Sequence, residues 1–309
     1  MRRNGEAPRD YRNAVTNDLA GTRMKISFST LGCPEWTLPQ AIDLAVRSGY
    51  QGIELRFIEG EDSLWKLPTF AGSGLQKTRR QIEDSGLSIS CVDTSCRFDS
   101  PHAAERDRWI EEGVRMAELA QQLNAPGIRV FGDRIQPGSD RESTRKWIVD
   151  SLNMLMEKLR DSAVEVWFET HGDFSCAVDV QSILNECPDV RLVWDAASAF
   201  IECGEQPFVN GTALNQSIRH VHIKDLRRTG DSWRPVLTGE GEFPLIEVRE
   251  VTDSINYTGF LSFEWEKKWH PEIEPPEVAI PLFSEWFESR WRNLDSNESS
   301  NQRTAGARS

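Results

Sequence analysis

Eight short β-rich runs, an amphipathic stretch behind each, and turn residues where helix gives way to strand predict an α/β chain folded as one (β/α)8 TIM barrel. The runs fall at 25–29, 52–56, 88–93, 127–131, 165–169, 191–195, 219–223 and 260–264. Strand then helix, repeated eight times over about 270 residues, suits a closed parallel barrel better than an open doubly wound sheet.

The first run, KISFS, begins directly after Met24, and the period of 38–48 predicts the first helix. In SGYQGIEL a glycine breaks that helix and the second run starts; SGLSIS opens the third run in the same way. A helix over 104–123 ends in LNAPGIRV, which carries the fourth run, and a further helix is expected over 143–161. VWFETHGDF holds the fifth run, RLVWDAAS the sixth and RHVHIKD the seventh. INYTGFLSF opens the eighth, and a last helix is expected over 277–291. No GxGxxG or GxxxxGK[ST] follows any run, so a nucleotide-binding sheet has no support.

The 309 residues suffice for one large domain, and 38% apolar with 28% charged residues describes a globular chain. No apolar run approaches the roughly 18–20 residues of a membrane span, and no apolar stretch follows Arg2 and Arg3 as in a secretory signal, which points to the cytoplasm. A net charge of −13 argues against nucleic acid as a partner. The six cysteines (33, 91, 96, 176, 187 and 203) include no CxxC pair and read as reduced and mostly structural. Residues 1–23 read as a flexible extension, with Met24 as a candidate start, 24–294 as the barrel, and 295–309 as a disordered tail.

In such barrels the C-terminal ends of the strands carry the chemistry. Those ends supply Glu169, Asp195, His222 and Glu264, each closing an apolar run where charge is costly unless paired or bound to metal. Three carboxylates and one imidazole suit one divalent ion, Mn2+ or Mg2+ first, then Co2+ or Zn2+. His171, two residues after Glu169, faces the same side if the strand continues, or is a backbone-bonded loop histidine. His220 reads as a packed, satisfied histidine. Lys224 either contacts substrate or pairs with Asp225, and Glu54 and Arg56 either contact substrate or pair with each other. Glu240, between Gly239 and Gly241, reads as a loop organiser reaching toward the site. Trp265 divides evenly between an aromatic wall against a sugar ring and ordinary core. Asp93 and Arg129 carry the same ambiguity as Glu54 and Arg56.

From about Met24 to Trp291 the chain resembles the xylose isomerase-like superfamily of sugar phosphate isomerases and epimerases. The specific parts are FETHGDF, WDAAS, HVHIKD, GEGEFP and GFLSFEWEKKWHPEIEPPE. The resemblance implies that Glu169, Asp195, His222 and Glu264 hold the metal and that Glu169 and Glu264 form the acid/base pair. It further implies proton abstraction next to a carbonyl of a small carbohydrate or polyol, through a metal-stabilised enediolate. A homo-oligomer stays open, with no surface here to point to. Ser198 stands where many members carry a histidine, which weakens a second metal and the epimerase reading. The alternative is a lyase or dehydratase acting on a keto-sugar, keto-inositol or 3-keto-glycoside.

Overall fold

The computed structural model describes residues 24–292; the stretches expected to be flexible, 1–23 and 295–309, lie outside them. Seven barrel strands come first: β1 (Lys25–Ser29), β2 (Gly52–Leu55), β3 (Ser88–Arg97), β4 (Gly127–Phe131), β5 (Glu165–Glu169), β6 (Arg191–Asp195) and β7 (Ile218–Ile223). An antiparallel hairpin, β8 (Asp225–Thr229) and β9 (Ser232–Val236), follows, and β10 (Phe260–Phe263) completes the ring. The eight parallel strands close in the order β1–β10–β7–β6–β5–β4–β3–β2. The expected TIM barrel forms as one domain.

The crossover helices are α1 (Leu38–Arg47), α2 (Gly72–Ser85), α3 (Ala103–Gln122), α4 (Arg141–Lys158), α5 (Ala177–Glu186), α6 (Ala196–Cys203), α7 (Pro207–Leu214) and α8 (Leu245–Ser254). The last, α9 (Pro276–Trp286), continues into a π turn at Phe287–Trp291, which accounts for the helix expected over 277–291. Local signals set several ends. Thr37 and Gln40 form a capping box before α1, Gly86 stops α2 at φ +73°, and Asp140 Oδ1 accepts from Ser143 N at 2.9 Å to start α4. Apolar helix faces pack on the barrel's outer surface. Between β10 and α9, for example, Phe263 and Phe283 stack at 4.6 Å while the Tyr50 hydroxyl donates to Ile280 O at 2.7 Å.

Two segments differ from expectation. The third strand runs to Arg97 rather than stopping at 93, because Thr94 Oγ1 donates to Arg129 O (2.7 Å) and accepts from Cys96 N (3.0 Å) across an irregular register. The hairpin was not expected, since DLRRT and SWRPV lack apolar alternation and stand largely in solvent.

The cysteines need correction. Cys176 and Cys203 form a disulfide, with Cα atoms 5.8 Å apart across a separation of 27 residues. Only the fold brings the start of α5 beside the end of α6, so spacing alone gave no sign of the pair. Cys33, Cys91, Cys96 and Cys187 are free and buried, as expected. Among the described residues no helix is long and apolar enough to cross a membrane.

Candidate functional site

Strand alternation builds the site. Cys91, Trp167 and Val193 form a small apolar cluster. Two residues further along the same strands stand Asp93, Glu169 and Asp195, on the same faces and one layer nearer the mouth. On β7, His220 stacks against Trp167 at 5.7 Å, the packed histidine the sequence suggests, and His222 stands one layer higher. Glu264 follows the last residue of β10.

Glu169 and Glu264 meet at His222, whose Nδ1 lies 2.8 Å from Glu169 Oε1 and 3.5 Å from Glu264 Oε1. Ligand atoms of these three residues all lie within 4.8 Å of one another. Glu169 and Glu264 line a cleft of about 470 Å3 at the mouth. His222 Nε2 faces inward, 3.1 Å from Glu54 Oε1, and Glu54 also pairs with His220 Nε2. Glu54, His220 and His222 form a second compact trio, yet neither Glu54 nor His220 lines the cleft. A catalytic ion keeps an open position for substrate, so the outer trio is the better candidate.

Asp195 sits differently from its expected partners. Its Oδ1 accepts from Ala197 N (3.0 Å) and Ser198 N (3.2 Å), capping α6, and its Oδ2 accepts from Lys224 Nζ at 3.0 Å. Lys224 also reaches Glu264 Oε2 at 2.5 Å and Glu266 Oε1 at 2.7 Å. Arg129 holds the other wall, with Nη2 3.2 Å from Asp93 Oδ2 and Nε 3.5 Å from Glu169 Oε2.

Burial alone would raise every one of these carboxyls. In Glu169 the opposing pull of Arg129 and His222 wins, and in Glu264 that of Lys224 and His222, so both stay below the ordinary carboxylate range. Burial wins in Asp195 despite Lys224, and it pushes Asp93 up to about 8 despite Arg129. His222 goes the other way: burial disfavours its charge, but Glu54, Glu264 and Glu169 hold it well above its usual value. Among the described residues, four buried carboxylates (Glu54, Glu169, Asp195, Glu264) thus meet two permanent cations, Arg129 and Lys224, and the His222 imidazole, which they hold protonated. A divalent cation would relieve that imbalance, and the oxygen-rich donor set fits one.

Of the expected substrate contacts, Arg56, His171 and Lys224 line the cleft. His171 Nδ1 lies 3.6 Å from Asp133 Oδ1, held by Gly172 at φ +61°, where a Cβ would strike the Asp133 backbone. Glu54 does not line the cleft; it lies beneath it, against the two histidines rather than against Arg56. Trp265 is core: alternation turns it away from Glu264, onto Phe263, with its Nε1 donating to Glu274 O at 2.9 Å. Glu240 is exposed and lines no part of the cleft. The loop is ordered instead by Asp225 Oδ2, which accepts from Gly239 N (2.8 Å) and Gly241 N (2.9 Å), so Asp225 does not pair with Lys224. The sequence did not point to Asp62, Ser95, Arg97 or Trp109, which also line the cleft. Ser95 and Arg97 continue the alternation from Asp93, a signal hidden by the early end expected for that strand.

The family model described as "Xylose isomerase-like TIM barrel" matches residues 42–289. No curated protein matches. Among solved structures, the chain is similar to the probable 3-DHS dehydratase AsbF involved in petrobactin synthesis from Bacillus anthracis. Identity is 18% and the TM-score 0.71, covering 86% of this chain and 100% of that one. It is similar to a D-tagatose 3-epimerase-like protein at 16% identity and TM-score 0.71, covering 89% and 100%. A third similar structure is the IOLI protein with a bound zinc atom, at 18% identity and TM-score 0.69, covering 84% and 95%.

Proposed function

We infer the activity from one premise: this chain belongs to the xylose isomerase-like TIM-barrel family. Within it, we propose a metal-dependent isomerase or epimerase of a small carbohydrate or polyol, with Glu169 and Glu264 as the acid/base pair. Glu169, His222 and Glu264, with Asp195 as a further oxygen donor, would hold one divalent ion, Mn2+ or Mg2+ before Co2+ or Zn2+. Bound there, the ion would supply Lewis acidity toward a substrate carbonyl. The observation carrying this reading is the convergence on buried His222 Nδ1 of two ionised carboxylates that line the cleft, one from the end of β5 and one directly after β10.

Glu169 and Glu264 reach the cleft from strands separated by β6 and β7, so they approach a substrate from different sides. Arg129 keeps one ionised and Lys224 the other. One removes the proton beside the carbonyl, and the other returns a proton to the opposite face or the adjacent carbon. Phe131 and Trp269 supply apolar surface at the cleft wall. The test is metal analysis with incubation in D2O over a panel of ketoses, inososes and 3-keto-glycosides. About one equivalent of metal and deuterium entering beside a carbonyl are expected, both lost in Glu169→Gln. Neither metal retention nor exchange with any substrate would sink the reading.

A carbon–oxygen lyase is the second reading, and Lys224 favours it. Its ammonium stands 2.5 Å from Glu264 in the cleft, placed to protonate a departing oxygen. A glutamate would take the C–H proton, that electron pair would form the double bond, and the β C–O bond would break. The similarity to a probable dehydratase supports the same alternative. Loss of water or aglycone, rather than a stereoisomer, would identify it.

A further inference from the structure

We propose that the substrate carries a carboxylate at the end remote from its reacting carbonyl, and that Arg56 receives it. This rests on the cleft being the substrate site, as read above.

Arg56 is an unusual group to leave in a cleft wall. Its side chain is only 6% exposed, and Nη2 donates to Ser95 Oγ at 2.8 Å. Nη1 is buried without a hydrogen-bond partner. The nearest acid, Asp62 Oδ2, stands 3.9 Å from Nη1, beyond hydrogen-bond range, and is itself bonded by Ser95. A buried donor left unmet is costly, more so on a charged group. Burial, with Arg129 nearby, pulls Arg56 down to about 10 even though Asp93, Asp62 and Glu169 pull the other way.

Position gives the unmet donor its meaning. In the ring order, β2 lies opposite β6 and β3 opposite β7. Arg56 follows β2 and Arg97 ends β3, across the mouth from Asp195 on β6 and His222 on β7. Arg56 and Arg97, with Asp62 and Asp133 beside them, thus stand away from Asp195 and His222, while Glu169 and Glu264 enter the cleft a quarter-turn to either side. Arg97, half exposed, already has Asp133 at 3.6 Å and Asp99 at 4.0 Å, so the unmet donor is that of Arg56. A hydroxyl could satisfy one N–H, but only an anion also offsets the charge. A planar carboxylate suits the guanidinium fork, and such charge-assisted bonds are roughly twice as strong as neutral ones. A keto acid of sugar size, its carbonyl beside Glu169 and Glu264 and its carboxylate at Arg56, meets both demands.

Matched probes test this. D-fructuronate differs from D-fructose, and D-tagaturonate from D-tagatose, by a carboxylate in place of the hydroxymethyl group farthest from the ketone. Calorimetric titration of the full-length, Mn2+-loaded protein should show at least one uronate binding tenfold or more tighter than its neutral partner. In Arg56→Met that ratio should fall to within threefold of one, with Arg56→Lys keeping part of it. Metal content and melting temperature verify that each variant is folded and loaded. No uronate preference in either pair, including no binding at all, overturns the proposal, as does a preference that survives in Arg56→Met. Because the readout is a binding ratio, its failure is separate from a failure of metal retention or deuterium exchange.

Discussion

Glu54 shows how one buried residue serves a site it does not line. Its carboxylate faces His222 Nε2 at 3.1 Å and also pairs with His220, with no solvent contact. Accepting from Nε2–H would fix the His222 tautomer that, once the Nδ1 proton is given up to a bound ion, turns that nitrogen's lone pair toward the ion between Glu169 and Glu264. Such partners typically contribute 10–100-fold to metal affinity. Glu54→Gln should therefore weaken Mn2+ binding by about 10-fold or more, measured by chelator competition, with the fold retained by circular dichroism. Unchanged affinity would mean that Glu54 only neutralises the interior. His220 was readable as packed, and Glu169 as a candidate facing the mouth, because period-2 alternation separates layers. Glu54 and Trp265 stayed open between two readings because alternation gives a residue's face but not its depth or its partner.

At the scale of elements, the Cys176–Cys203 bridge joins the start of α5 to the end of α6, the helix that Asp195 caps. It thus ties the connection after β5, which carries Glu169, to the segment after β6. Closing a loop of 27 residues should stabilise the fold by about 3.5 kcal/mol on chain-entropy grounds. Denaturant unfolding with and without reductant checks this: the wild-type midpoint should drop on reduction, whereas Cys203→Ser should start lower and not respond. A wild-type midpoint indifferent to reductant would mean the bond does not form in solution. The barrel strands and long helices were legible because their periods are strong. The hairpin was not, since two short charged strands leave no apolar rhythm to read.

For the whole molecule, the fold's ability to bury four carboxylates against two permanent cations and one protonated imidazole is the central electrostatic fact. Breaking a buried ion network is costly, and an added divalent charge is favourable in proportion to the imbalance. A ligand that binds only the native state at a hundred times its Kd adds about 2.7 kcal/mol of stability. Mn2+ should accordingly raise the melting temperature of the EDTA-treated protein by several degrees, and His222→Ala should abolish the gain. A melting temperature that ignores both Mn2+ and EDTA would exclude a tight ion from this network.

The sequence by itself determined the barrel, the order of its strands along the chain, and the candidates Glu169, Asp195, His222 and Glu264 at their ends. These depend on local periodicity and on the rule that barrel chemistry sits at strand C-termini. Only the tertiary structure decided who touches whom. It paired Asp195 with Lys224, set Glu54 beneath the histidines, joined two distant cysteines, and left a guanidinium nitrogen unmet across the mouth from Asp195 and His222. Contacts between strands on opposite sides of a closed ring depend on register and depth, and neither is written in the spacing of residues along one strand.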